Sequence, residues 1–148
     1  MDLERFVQAQ SDGVFEQALT ELHRGKKQAH WMWFVFPQFV GLGNSPTSRV
    51  FALSSLEEAR RFLRHPLLGA RLLQCCRALG RLTNKTAVDI FGPIDAVKLR
   101  SSMTLFLRAE PQQTLFKAVI DEFFDGELDP LTDQLLGDPR GTRDSSSR

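Results

Sequence analysis

The amino-acid sequence predicts an all-α fold, irregular in its middle. Apolar side chains recur at three- and four-residue spacing over most of the chain. Capping residues, prolines and glycines stand at the ends of those periods. The helical period fails between Gln28 and Leu53. At 148 residues the chain can bury one sizeable core and is too short for two. Residues 1–137 read as a single helical domain. Residues 138–148 hold no large apolar side chain and are expected to form a disordered tail.

Asp2 is placed to cap a first short helix carrying Leu3, Phe6 and Val7. A second is expected from Asp12 to Arg24, with Val14, Phe15, Ala18, Leu19 and Leu22 on one stripe and Gly25 ending it. Ser55-Leu56-Glu57-Glu58 has the capping-box pattern. The helix it opens stops near His65, because Pro66 disfavours helical geometry in the residue before it. Pro66 then suits the first position of the next helix, whose buried stripe is Leu68, Leu72, Cys75, Cys76, Leu79 and Leu82. Thr86 to Phe91 makes a helical turn closed by Gly92, and Pro93 to Arg108 a further helix. Pro111 to Phe124 carries Leu115, Phe116, Val119, Ile120 and Phe123, and Asp129-Pro130 opens a last helix ending at Gly137. In the middle, Trp31 to Pro37 is an apolar run too dense for an amphipathic helix. Gly41 to Pro46 reads as a loop, and Arg49 to Leu53 suits a short extended piece.

Composition excludes several classes. Apolar residues make up 42% and charged residues 25%, which is ordinary for a soluble globular chain. Nineteen Lys and Arg against eighteen Asp and Glu leave a net charge of +1, so no global field draws the molecule to nucleic acid or to a membrane. No window approaches the ~18 apolar residues that a bilayer span needs. The charged start, Met1-Asp2-Leu3-Glu4-Arg5, predicts no secretory signal. Adjacent Cys75 and Cys76 are poorly placed to bridge each other, and reduced thiols in a helix suit a cytoplasmic protein. No His, Cys, Asp and Glu stand at ligand spacing, so neither a metal nor a cofactor is expected. Charge is nonetheless uneven. Residues 49–81 hold seven Arg against two Glu, and residues 110–138 hold eight acids against Lys117 alone. Two mutually attracting hairpins, or a basic groove for an anion, would each account for that.

Three stretches are unusual for a plain helical bundle. The first runs from Lys26 through His30-Trp31-Met32-Trp33 to Gln38. Indoles stack on rings and hold cations, and an imidazole beside them can move protons. Buried core aromatics with His30 at their edge are the alternative. The second is the loop Gly41-Leu42-Gly43-Asn44-Ser45-Pro46, whose glycines allow close backbone approach and whose amides could cradle an anion. It lacks the features of a Walker loop or a dinucleotide fingerprint, and a plain connection explains it equally. The third is Lys98-Leu99-Arg100-Ser101-Ser102-Met103-Thr104. Its hydroxyl residues are mediocre helix formers and its cations oppose a helix dipole. Both costs would be offset if this end held a phosphate or carboxylate. The alternative is a small-residue helix crossing with its cations paired to the acidic C-terminal third. Asp89 and Asp95 are further candidates, as bases or as groups orienting Lys98, with helix capping as the alternative.

These motifs resemble an uncharacterised bacterial family. Arg5-Phe6-Val7, His30-Trp31-Met32-Trp33-Phe34, Phe36-Pro37-Gln38, Gly41-Leu42-Gly43, His65-Pro66, Ile90-Phe91-Gly92 and Lys98 to Phe106 carry the resemblance, which spans residues 2–137. The family is a domain of unknown function whose members are sometimes labelled calpastatin. Calpastatin repeats are disordered, whereas this chain has a core, so the label carries no weight. The resemblance implies a mainly helical fold and a signature in which the three stretches meet. Phe51 departs from the tyrosine expected there. The order Ser55, Ala78-Leu79-Gly80-Arg81, Lys98 to Met103 and Leu135-Leu136-Gly137 is also faintly similar to NADAR-type N-glycosidases, which act on ADP-ribose-like compounds; no catalytic residue of theirs can be placed here.

A pocket for a small anionic molecule, nucleotide-like or sugar-phosphate-like, is the leading expectation. His30, Trp31 and Trp33 would cover a ring. Lys98, Arg100, Ser101, Ser102 and the loop with Gly41, Gly43 and Ser45 would hold its anion, with Gln38 and Thr104 as further ligand-binding candidates. In an enzyme, a hydrolase or transferase, His30 or Asp89 would be the acid or base and Arg100 would stabilise charge. Whether there is catalysis is left open. A protein-interaction module using the Trp31–Phe36 ridge is the alternative, and a homo-oligomer is compatible with it. Nucleic-acid binding through Arg60, Arg61, Arg64, Arg71, Arg77 and Arg81 is disfavoured by the near-neutral charge.

Overall fold

A computed structural model describes residues 2–137 of the chain. The expected tail, 138–148, lies outside the described residues. Nine helices follow in order among them: α1 Glu4–Ala9, α2 Val14–Arg24, α3 Met32–Val35, α4 Pro46–Val50, α5 Leu56–Arg64, α6 Leu68–Gly80, α7 Ala87–Ala109, α8 Thr114–Phe124 and α9 Pro130–Gly137. The described residues contain no sheet, only an isolated parallel bridge between Phe39 and Leu53. The all-α expectation holds.

Local chemistry explains most boundaries. Asp2 Oδ1 accepts the Glu4 N–H at 2.8 Å, anchoring α1. Gly25, with φ 75°, ends α2. Ser55 Oγ accepts the Glu58 N–H. The Glu58 carboxylate, however, turns to the N–H and hydroxyl of Ser54 instead of closing the box on Ser55. Pro66 is not the first helical residue of α6. His65 takes the capping role, its Nδ1 accepting the N–H groups of Leu67 and Leu68 at 3.1 and 3.2 Å. The expected break at Gly92 is present: φ 81° and ψ 165° interrupt α7, and Pro93 restarts it.

The irregular middle holds two short helices, and one of them corrects an expectation. Met32–Val35 forms one helical turn within the dense apolar run. The first part of the expected extended piece, up to Val50, is helical, because Ser45 caps α4 and Pro46 occupies its first turn. Leu53 does lie extended, donating its N–H to Gln38 O and accepting the Val40 N–H, each at 2.9 Å.

The core is aromatic. Phe6, Phe36, Phe62, Phe106 and Phe116 are fully enclosed. Phe62 stands edge-on to Phe6 and tilts against Phe106, which stacks on Phe116. This chain of rings joins α1, α5, α7 and α8. α7 runs through the centre and packs against α5, α8 and α9. One end of it, near the Gly92 break, faces the irregular segment 26–53, and the cleft described next forms there.

Candidate functional site

Two adjoining clefts open between the 27–47 segment and the start of the main part of α7. The smaller, about 350 Å³, is lined by Lys27, His30, Met32, Trp33, Phe34, Thr47, Asp95 and Lys98. The larger, about 460 Å³, is lined by Trp33, Gln38, Leu42, Gly43, Pro93, Ile94, Val97, Lys98, Ser101, Asp129 and Leu131. Trp33 and Lys98 belong to both, so the two are lobes of one groove with a shared wall. Both volumes lie within the ordinary range of small-molecule sites.

The shared wall is built by charge. Lys98 Nζ lies 5.3 Å from the centroid of the Trp33 ring. It is held there by Asp95 Oδ1 at 3.2 Å. Asp95 Oδ2 meets Lys27 Nζ at 2.9 Å. Burial alone would raise the Asp95 carboxyl, but the two ammonium groups outweigh it and hold it below the usual carboxylate range. Lys27 is more strut than ligand: its side chain is 7% exposed. It donates to Ala29 O at 2.6 Å and lies over the Trp31 ring. Lys98, 29% exposed, is the cation a guest can reach. His30 is exposed at the rim of the smaller lobe.

Gly43 explains how loop and indole meet. A Cβ there would stand 2.6 Å from Ser48 Oγ and 2.8 Å from Trp33 Cη2, so only glycine allows that approach.

Asp129, at the N-cap of α9, forms the polar end of the larger lobe. It is buried, and its Oδ2 accepts from Ser101 Oγ at 2.7 Å, from the Thr132 N–H at 3.2 Å and from Thr132 Oγ1. Its own N–H donates to Thr104 Oγ1 at 2.9 Å. Arg100 donates to the carbonyls of Glu127 and Leu128, both at 2.8 Å. Gln38 stands in the same lobe, 2% exposed, and its Nε2 has no hydrogen-bond partner. An unmade hydrogen bond of this kind costs on the order of 1–3 kcal/mol.

The groove thus gathers His30, Trp33, Gln38, Gly43, Lys98 and Ser101. The other expected site residues stand elsewhere. Trp31 is 1% exposed and donates its indole N–H to Glu21, so it is core and cannot cover a ring. The Trp31–Phe36 ridge is likewise no docking surface, since Trp31, Met32, Val35 and Phe36 are buried. Asp89 is exposed and closes a capping box with Thr86, whose hydrogen bonds lower its carboxyl. Arg100 braces residues 127–128 and pairs with Glu127, as the alternative reading of its motif had it. Thr104 and Ser102 are buried, the first bonded to Arg100 O and Asp129 N, the second without a partner. Gly41 packs towards Leu135, and Ser45 caps α4. The arginines do not form one groove, since Arg71 reaches Gln10 and Glu16 while Arg60 reaches Ala109 O.

Sequence reasoning missed two residues, Asp129 and Glu21. Lys27, within the first unusual stretch, lines the groove, and so does Asp129, which was not foreseen there. Glu21 builds its support, its carboxylate accepting the N–H groups of Gln28 and Ala29, the Trp31 indole and the Gln17 amide. The Asp129-Pro130 pair signalled a helix start, and nothing local signalled more.

Fold and groove define an all-α protein with a surface cleft of small-molecule size. No group of three or more His, Cys, Asp or Glu able to hold a metal occurs among the described residues. No described helix is long and apolar enough to cross a membrane. A family model described as "Protein of unknown function (DUF1810)" matches residues 1–136, and the chain belongs to that family. The fold is similar to the crystal structure of the conserved hypothetical protein Rv1873 from Mycobacterium tuberculosis, with a TM-score of 0.89 and 46% identity over 91% of this chain and 96% of that one. No curated protein matches, so the faint likeness to N-glycosidases draws no support.

Proposed function

We propose that the groove binds a small ligand carrying an anionic group beside a flat ring. The observation that supports this is the shared wall: a reachable Lys98 ammonium fixed over the face of Trp33, with a lobe of about 350 Å³ on one side and of about 460 Å³ on the other. An anion pairs with Lys98, and a ring packs on the indole. His30 at the rim is the residue placed to move a proton. Hydrolysis or group transfer on a nucleotide or sugar phosphate is the reaction class this set suits, without Asp89 or Arg100, which stand outside the groove. The test is thermal unfolding and tryptophan fluorescence with inorganic phosphate, ribose 5-phosphate and AMP. At least one raises the midpoint and changes Trp33 emission, and Lys98→Ala removes the effect. No response to any of the three, from protein that unfolds cooperatively, overturns the reading.

A further inference from the structure

We propose that the larger lobe is a subsite for the uncharged hydrogen-bonding edge of a nucleobase-like ring, read jointly by the Gln38 amide and the Asp129 carboxylate. It deepens the function proposed above and rests on it: the anion sits at Lys98 and the base lies beyond, in the larger lobe.

Gln38 carries the first half. Its amide nitrogen is enclosed and unpartnered, although the backbone around it is fixed by the bridge to Leu53. Nothing in the fold uses the donor, and a buried donor without a partner is normally removed or satisfied. Asp129 carries the second half. Among the described residues, every hydrogen bond to its carboxylate goes to Oδ2, and Oδ1 accepts none. Both groups line one lobe together with Trp33 and the apolar Leu42, Ile94, Val97 and Leu131, its other polar side chains being Lys98 and Ser101.

One lobe therefore offers an N–H donor and a carboxylate oxygen among aliphatic side chains and the Trp33 indole. Its complement is a planar guest that carries both an acceptor and a donor, as a purine does. The Asp129 charge repels a phosphate or carboxylate from this lobe, which leaves the anion to Lys98.

The experiment is calorimetric titration of the full chain with AMP, adenosine and ribose 5-phosphate, for wild type and for Gln38→Leu and Asp129→Asn. Gln38→Leu removes the stranded donor at similar volume. The expected result is that AMP binds wild type roughly tenfold or more tightly than ribose 5-phosphate does. Both variants lose that advantage while ribose 5-phosphate binds them unchanged, and unliganded Gln38→Leu melts no lower than wild type. Equal binding of AMP and ribose 5-phosphate to wild type overturns the subsite and leaves the anion site standing. A Gln38→Leu protein that binds AMP like wild type, or one that melts well below it, also overturns the subsite, since the amide then serves no base or serves the fold. Failure of all three ligands on wild type overturns the underlying reading instead.

Discussion

Glu21 Oε1 accepts the indole N–H of Trp31 at 2.8 Å inside the core. The same oxygen accepts the N–H groups of Gln28 and Ala29 at 2.8 and 3.1 Å. One carboxylate from α2 thus sets the path of the chain into the groove. Burial pushes this carboxyl up, but the hydrogen bonds together outweigh it and hold it at about 2, against an ordinary 4.5. A group depressed in the folded state contributes stability that is complete above its unfolded value and is lost as pH falls towards its folded value. Glu21→Gln should cost about 2 kcal/mol at pH 7, since an amide cannot serve all four donors. Urea unfolding of both proteins should show this gap closing between pH 4.5 and pH 2. A gap independent of pH would reject the assignment.

The two tryptophans should behave oppositely towards a quencher. Trp31 is 1% exposed, whereas Trp33 is half-buried in the groove wall. Acrylamide should quench one component of the emission and spare the other. Trp33→Phe should remove the quenchable component, and Trp31→Phe the protected one. Steady-state quenching plots on the three proteins decide it.

Ser102 is fully buried on α7, and its hydroxyl has no partner. Ser102→Ala should therefore leave stability unchanged or raise it by about 1 kcal/mol, because alanine is the better helix former and strands no polar atom. Ser101→Ala, which removes the 2.7 Å hydrogen bond to Asp129 Oδ2, should instead lower it. Thermal melts of the pair give the comparison.

Burial pushes the Cys75 thiol up to about 12, and the Cys76 thiol is raised further by burial and by its neighbour. Neither is a thiolate at neutral pH, so neither is a nucleophile in the native state. A thiol reagent at pH 8 should label neither cysteine in native protein and both in guanidinium. Rapid native labelling would mean that α6 opens readily.

Much of the helical pattern was legible because its causes are local. Asp2, Gly25, Ser55, Gly92 and Asp129 act on backbone groups within a few residues of themselves. The groove was legible in part. His30, Trp33 and Lys98 were expected together and do share a lobe. Arg100 was grouped with Lys98 by composition, yet two positions on a helix turn a side chain by about 200°, so the two face different neighbours. Trp31 and Trp33 are alike as letters. What separates them is a carboxylate ten positions earlier, and a pairing of that kind leaves no periodic trace. Asp129 reaches Ser101 across 28 residues, which capping logic alone does not foresee.

The ties from Arg100, Ser101 and Thr104 have a mechanical corollary. They rivet residues 127–129 to the helix that also carries Lys98, so the acidic and basic banks of the groove move as one palm. The facing bank is a thumb: among the described residues, 41–44 donate no backbone hydrogen bond, so main-chain bonds hold the stretch only at its ends, by Leu53 and by the Ser45 cap, and side-chain packing against Leu135, Ser48 and Trp33 holds it between. The spacing between the Lys98 ammonium and the Asp129 carboxylate is thus set within the palm and does not depend on the path of residues 41–44.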